Sequence, residues 1–97
     1  VAFVSLALVT ISGCGPVRTT AHLIDAEVAL QGAKTAGAEQ YAPYEYTSAQ
    51  LYLQKAKEEE GYSDYEYAVG FAEKSSKFAN EARDKALAAP RDQTPTP

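Results

Sequence analysis

An all-α fold, a small antiparallel three-helix bundle built from a helical hairpin and a preceding helix, is predicted by three observations. Apolar and small residues recur at alternating steps of three and four through three successive stretches. Pro43 and Gly61 separate those stretches by connections so short that neighbouring helices must run antiparallel. Ser63 followed by Glu66 has the spacing of a capping box, which marks the start of the third helix. An apolar leader precedes the bundle, and a disordered Pro-rich tail follows it.

The leader, residues 1–13, reads as an address. Val1 to Ile11 carries no charge, and only Ser5 and Thr10 interrupt its apolar run. At about 1.5 Å per residue it is roughly half of what a hydrocarbon core of about 30 Å requires. That length fits the apolar region of a secretory signal peptide.

Ile11-Ser12-Gly13-Cys14 then resembles the lipobox of bacterial lipoproteins, in which a Leu-like residue and two small residues precede an obligatory Cys. The resemblance implies that Cys14 is the lipidation site and that the signal is cleaved between Gly13 and Cys14. A diacylglycerol on the thiol and an N-acyl chain on the new amino terminus are the covalent groups it implies; no other cofactor is expected. Each buried CH₂ adds about 0.8 kcal/mol, so two or three chains hold a protein on a bilayer without a spanning helix. Gly15 stands where many enteric lipoproteins retained in the inner membrane carry Asp, which points to the outer membrane of a Gram-negative envelope, facing the periplasm.

Residues 14–20 are expected as an acylated tether, with Pro16 and Arg18-Thr19-Thr20 ahead of the first periodic residue. The helical module spans 21–89. Leu23, Ala26, Leu30, Ala33 and Gly37 fall on one face of the first helix, with Thr19 or Thr20 as its cap. Pro43 suits the first turn of the second helix, where its missing N–H is no loss. Tyr46, Ala49, Leu53 and Ala56 form the inner face of that helix, and Gly61 is the expected left-handed residue that closes it.

The third helix carries Tyr65, Ala68, Ala72, Ser75, Ala79, Ala82, Ala86 and Ala89 as a heptad seam made mostly of small residues. Such a seam brings helix axes to the near end of the roughly 8–10 Å range. Glu73 with Lys77 and Glu81 with Lys85 are placed to pair one turn apart. Phe71 and Phe78, offset from the seam, are expected to cover the first helix. Residues 90–97, with three prolines, form the tail.

Composition narrows the function. The chain has 97 residues and a net charge of −4, with acids and bases interleaved. One modest domain of this kind lacks the clustered Lys and Arg that nucleic acid requires, so no nucleic-acid partner is expected. A single cysteine excludes an intrachain disulfide and a multi-cysteine metal site. His22 has neither a second His nor a carboxylate pair at ligand spacing, so no metal is expected. Glu58-Glu59-Glu60 splay around one exposed helix instead of facing each other across a cleft, and Ser63 is better read as a cap than as a nucleophile. No catalytic residue is assigned, and the chain is not expected to be an enzyme.

Tyr41-Ala-Pro-Tyr-Glu-Tyr-Thr-Ser-Ala49, continued by Gly61-Tyr-Ser-Asp-Tyr-Glu66 and the Ala-rich third helix, resembles the DUF4398 family of short Ala- and Tyr-rich envelope lipoproteins. The resemblance covers roughly residues 21–89 and implies location and architecture without implying a reaction. The unusual feature is the tyrosines: Tyr41, Tyr44, Tyr46 and Tyr52 surround the second helix, and Tyr62, Tyr65 and Tyr67 gather at the start of the third. They either fill the gaps of an Ala-rich bundle or form a candidate interaction surface. The expected partners are the membrane, through the lipid anchor, and an envelope protein or peptidoglycan. The function expected is that of a non-enzymatic interaction or structural module, with a peptidoglycan- or small-ligand-binding module as the alternative.

Overall fold

The computed structural model describes residues 14–91, with side chains from Pro16 onward. The leader, Gly13 of the cleavage site and residues 92–97 lie outside the described residues, and so does the side chain of the lipidation candidate Cys14. The described residues are all-helical: α1 (Cys14–Thr35), α2 (Ala38–Tyr41), α3 (Pro43–Gly61) and α4 (Tyr65–Ala88). Four helices therefore stand where three were expected, and the additional one is a single turn.

Helix α1 begins at Cys14, so the stretch 14–20 anticipated as a tether forms its first two turns. Pro16 explains the difference. A proline in the first turn costs no hydrogen bond and presets φ for the helix, so it starts this one instead of delaying it. Thr19 is consequently no cap; it is fully buried on the inner face. That face continues through Leu23, Ala26, the half-buried Leu30 and Ala33.

Gly37 ends the run instead of belonging to its face. Its φ of 89° is open to glycine at little cost, and a Cβ there would sit 3.3 Å from the Tyr41 ring. Its carbonyl then accepts from the N–H groups of Gln40 and Tyr41, each at 3.0 Å, which opens α2. The short helix stops because Pro43 steers Ala42 out of the α region, to φ −146° and ψ 57°. Pro43 is the first residue of α3, as its chemistry favours.

The α3–α4 connection departs most from expectation. Helix α3 runs through Gly61, and Ser63 takes the left-handed conformation, with φ 63°. The N–H of Asp64 donates to Glu59 O at 2.8 Å and that of Ser63 to Glu60 O at 2.9 Å, the paired bonds of a Schellman closure. The capping box is thereby excluded, because an N-cap residue needs extended backbone and Ser63 is committed to ending the previous helix. Asp64 caps α4 instead, through its backbone carbonyl, which accepts from Ala68 N at 2.9 Å without a side-chain bond.

Helix α4 is the centre of the fold, packing extensively on α3 and on α1, which touch each other along a narrower line. Ala68, Ala72, Ser75, Ala79, Ala82 and Ala86 of its seam have no exposed surface, and Val69 joins them. Close approach of the axes has a direct consequence: the Ser75 hydroxyl, only one carbon from its backbone, donates to Ala49 O of α3 at 2.7 Å in the interior. Glu45 meets Lys85 while Tyr52 meets Phe71, so α3 and α4 run antiparallel.

The core divides into two clusters along the bundle. Leu23, Ala26, Leu53, Ala56 and Ala72 fill one end. Ala33, Ala36, Ala38, Ala42, Tyr46, Ala82 and Ala86 fill the other. The early part of α1 meets the early part of α4 and the late part meets the late part, which makes those two helices parallel.

Candidate functional site

The tyrosines singled out in the sequence do not form one patch. Tyr46 is buried in the second cluster, where burial, with Glu39 nearby, pushes its hydroxyl above the usual tyrosine range. Tyr41 is half-buried at the same end, beneath the Arg91 guanidinium, whose centre lies 4.5 Å from the ring centroid. Tyr62 and Tyr67 stand out from the opposite end at 77 % and 68 % exposure, with Tyr65 partly covered beside them. Tyr46 is thus a core residue, so one of the seven candidates is removed from any surface.

Between the ends runs an aromatic ladder. Tyr44, exposed on the first turn of α3, meets Phe78 edge to face at 6.2 Å between centroids. Tyr52, two turns further on, stacks on Phe78 at 5.6 Å and on Phe71 at 6.1 Å. Residues seven apart on a helix are separated by about 10.5 Å, so the Tyr52 ring fits between the two phenylalanines. Lys74 lies over this stack, 5.4 Å from the Tyr52 centroid and 5.9 Å from that of Phe71. Beyond Phe71 a shallow cavity of about 270 Å³, lined by Glu66, Tyr67, Gly70, Phe71 and Lys74, continues the strip.

The ladder corrects the expectation that Phe71 and Phe78 cover α1: both rings turn to the tyrosines of α3. Phe71, Phe78 and Lys74 are the site residues that the sequence reasoning missed. The signal was present, since Tyr44 and Tyr52 are eight apart and Phe71 and Phe78 seven apart, which is one face on each of two antiparallel helices. Such partly exposed rings flanked by a cation have the composition of interaction surfaces.

Charges fix the borders. Lys85 reaches Glu45 across the α3–α4 interface at 3.2 Å instead of pairing with Glu81 on its own helix. A hydrogen bond from its own backbone N–H in the first turn of α3, aided by Lys85, holds the Glu45 carboxyl below the usual carboxylate range; partial burial opposes this and is outweighed. Glu58 and Glu59 share Lys55 at 3.8 Å, and Glu27 of α1 meets Lys57 at 3.3 Å. Of the acidic triplet, Glu58 is thus an exposed ion-pair partner, while Glu59 and Glu60 are partly covered.

Arg91 makes the other distinctive constellation. Its guanidinium donates to Ala36 O, the residue just past the end of α1, at 2.6 Å and to Ala86 O in the last turn of α4 at 2.8 Å while stacking on Tyr41 of α2. A cation set on the carbonyl ends of two helices opposes their dipoles favourably. Arg91 lies in the segment expected as the disordered tail, and these contacts tie it to the ends of α1 and α4.

A third feature, a groove of mixed lining and about 540 Å³ between α1 and α4, sets His22, Asp25, Glu73, Ser76 and Arg83 beside Val28 and Ala29. Among the described residues no group of three or more His, Cys, Asp or Glu side chains is placed to hold a metal ion. Likewise, no helix among the described residues is long and apolar enough to cross a membrane.

A family model described as a domain of unknown function (DUF4398) matches residues 21–95. No curated protein and no solved structure matches the chain.

Proposed function

The chain belongs to the DUF4398 family, and on that premise we propose that it is a non-enzymatic lipoprotein of the outer membrane that presents its helical module to the periplasm as an interaction or structural element. The anchor is the acylated Cys14, and the contact surface is the aromatic ladder of α3 and α4. One observation carries the reading: Tyr44, Tyr52, Phe71 and Phe78 form a continuous, partly exposed strip with Lys74 over it. Exposed aromatic surface of that extent costs solubility, and its use is the burial of those rings against another molecule.

The arrangement favours a protein partner. Glycans bind by laying a sugar ring on an open aromatic face, whereas the Tyr52 ring is stacked on both Phe71 and Phe78. Peptidoglycan or small-ligand binding is the second reading, supported by the outlying Tyr62 and Tyr67, whose rings are mostly exposed.

Two measurements test these readings. Radiolabelled palmitate should enter the wild-type chain and not Cys14→Ser; equal labelling of both disproves the anchor. Affinity capture from detergent-solubilised envelopes should retain a specific protein that Tyr44→Ser releases, a position exposed enough to leave the fold intact. Pelleting with purified cell wall, abolished by Tyr62→Ser, would move the assignment to the second reading.

A further inference from the structure

Helix α1 is apolar on two opposite faces. One is the buried face through Leu23, Ala26 and Ala33. The other consists of Val17, Ala21, Ile24 and Val28, with Val17 and Val28 each 66 % exposed and Ile24 51 % exposed. Steps of four, three and four keep these residues in one stripe, and at 100° per residue the stripe lies almost diametrically across the helix from the core face. A helix apolar on both sides is one that is covered on both sides. We propose that a second copy of this chain covers it, through an antiparallel two-fold pairing of α1 with α1.

Three observations choose this occupant. The spacing is that of a coiled-coil seam, and the shallow cavity of about 370 Å³ on the stripe is bounded by Val17, Thr20, Ala21 and Ile24, with Pro16 at its rim. Residues at i, i+3, i+4 and i+7 are the four walls of the hole into which a facing seam residue inserts. In an antiparallel pairing with Ala21 opposite Ile24 of the second copy, Val17 falls opposite Val28, and the knob that enters this hole is the second copy's Ile24. Large faces small at the two central layers. A parallel pairing would set Ala21 on Ala21 and leave a gap between bulkier layers.

Charge is the third observation. In the antiparallel register Arg18 comes beside Asp25 of the second copy, and the two-fold axis repeats the pair. Neither residue has an ion-pair partner among the described residues. Glu27, on the other flank, is already held by Lys57 and comes beside Thr20 of the second copy, so no like charges meet. The parallel register gives Arg18 no acid at all.

Four side chains make a small interface, so association is weak and is read at high protein concentration. The test is sedimentation equilibrium of the full chain in density-matched non-ionic detergent. Wild type should approach twice the monomer mass as concentration rises. Arg18→Asp alone and Asp25→Arg alone should each weaken dimerisation by about tenfold or more, because like charges then face each other twice, and the double exchange should restore it. Ile24→Glu should give a monomer with unchanged helix content by circular dichroism. Wild type that stays monomeric overturns the proposal, including the case in which it binds phosphatidylglycerol vesicles through this face. Association indifferent to all these substitutions, as the apolar leader would produce, overturns it too, and so does a double exchange that fails to restore.

Discussion

The two ends of the bundle solve the same problem in opposite ways. At one end α1, α2, α3 and α4 meet around Ala33, Ala36, Ala38, Ala42, Ala82 and Ala86, a cluster with a single large fully packed side chain, Tyr46. Arg91 closes that end by bonding the last carbonyls of two helices and stacking on Tyr41, and Lys85 to Glu45 adds a second cross-link. At the other end the α3–α4 turn has a left-handed Ser63, no side-chain cap on α4, and Tyr62 and Tyr67 standing in solvent. An Ala-rich core buries little area per residue, so polar clamps take on part of the stabilisation where the helices converge. The uncapped end is left free to present side chains.

That contrast is broken most directly at Tyr46. Tyr46→Ala removes the one bulky side chain of the closed cluster, and truncating a buried aromatic costs about 3 kcal/mol. For a domain of this size that is a large part of total stability, so melting followed by circular dichroism should show a loss on the order of 15 °C or an unfolded chain at room temperature. Tyr62→Ala, at the open end, should leave the melting temperature where it was. Equal effects at both positions would erase the distinction.

Arg91 sharpens it next. Arg91→Ala strips two charge-assisted hydrogen bonds and a cation–π contact, which together are worth about 2 kcal/mol when partly buried. Arg91→Lys keeps the charge but cannot bridge two carbonyls while stacking flat on the ring, so it should recover less than half of the loss. Hydrogen exchange gives the local readout: amides of α2 should lose protection in Arg91→Ala while those near Ala72 keep theirs.

Ser63→Gly acts at the open end and in the opposite direction. A left-handed non-glycine residue costs roughly 1–2 kcal/mol, and glycine gives back part of that gain as chain entropy in the unfolded state. A net stabilisation of about 0.5–1 kcal/mol should raise the melting temperature by a few degrees. An unchanged or lower value would show that Ser63 is not strained.

These sites also mark where sequence reasoning reached its limit. The inner faces of α1, α3 and α4 followed from three-four spacing alone, because burial of one face is a local pattern repeated every turn: Leu23 and Ala26, Leu53 and Ala56, Ala72 and Ala79 are all buried. Helix ends were less legible. Pro16 reads equally as tether or as first turn, and which of Gly61 and Ser63 takes the left-handed conformation depends on where two helices must reverse. The surface was the least legible part. Nothing local says that Phe71 and Phe78 turn to Tyr44 and Tyr52 instead of to α1, and Arg91 sits in a segment whose prolines suggest disorder while its partners lie 5 and 55 residues away.

The Glu45–Lys85 pair supplies the smallest and most specific comparison, because it titrates. The Glu45 carboxyl is held below its ordinary value of 4.5 by its backbone hydrogen bond and by Lys85. The folded state therefore binds its proton more weakly than the unfolded chain does. The stabilisation is fully present above the unfolded value and is lost as pH falls through the folded one. Glu45→Gln cannot make this contribution at any pH, so wild type should exceed it by about 0.3–0.5 kcal/mol near neutrality, the usual worth of a partly exposed pair. That margin should vanish on the acid side of the carboxylate range and shrink with added salt. A constant margin across the titration would locate the effect in packing at the closed end instead of in charge.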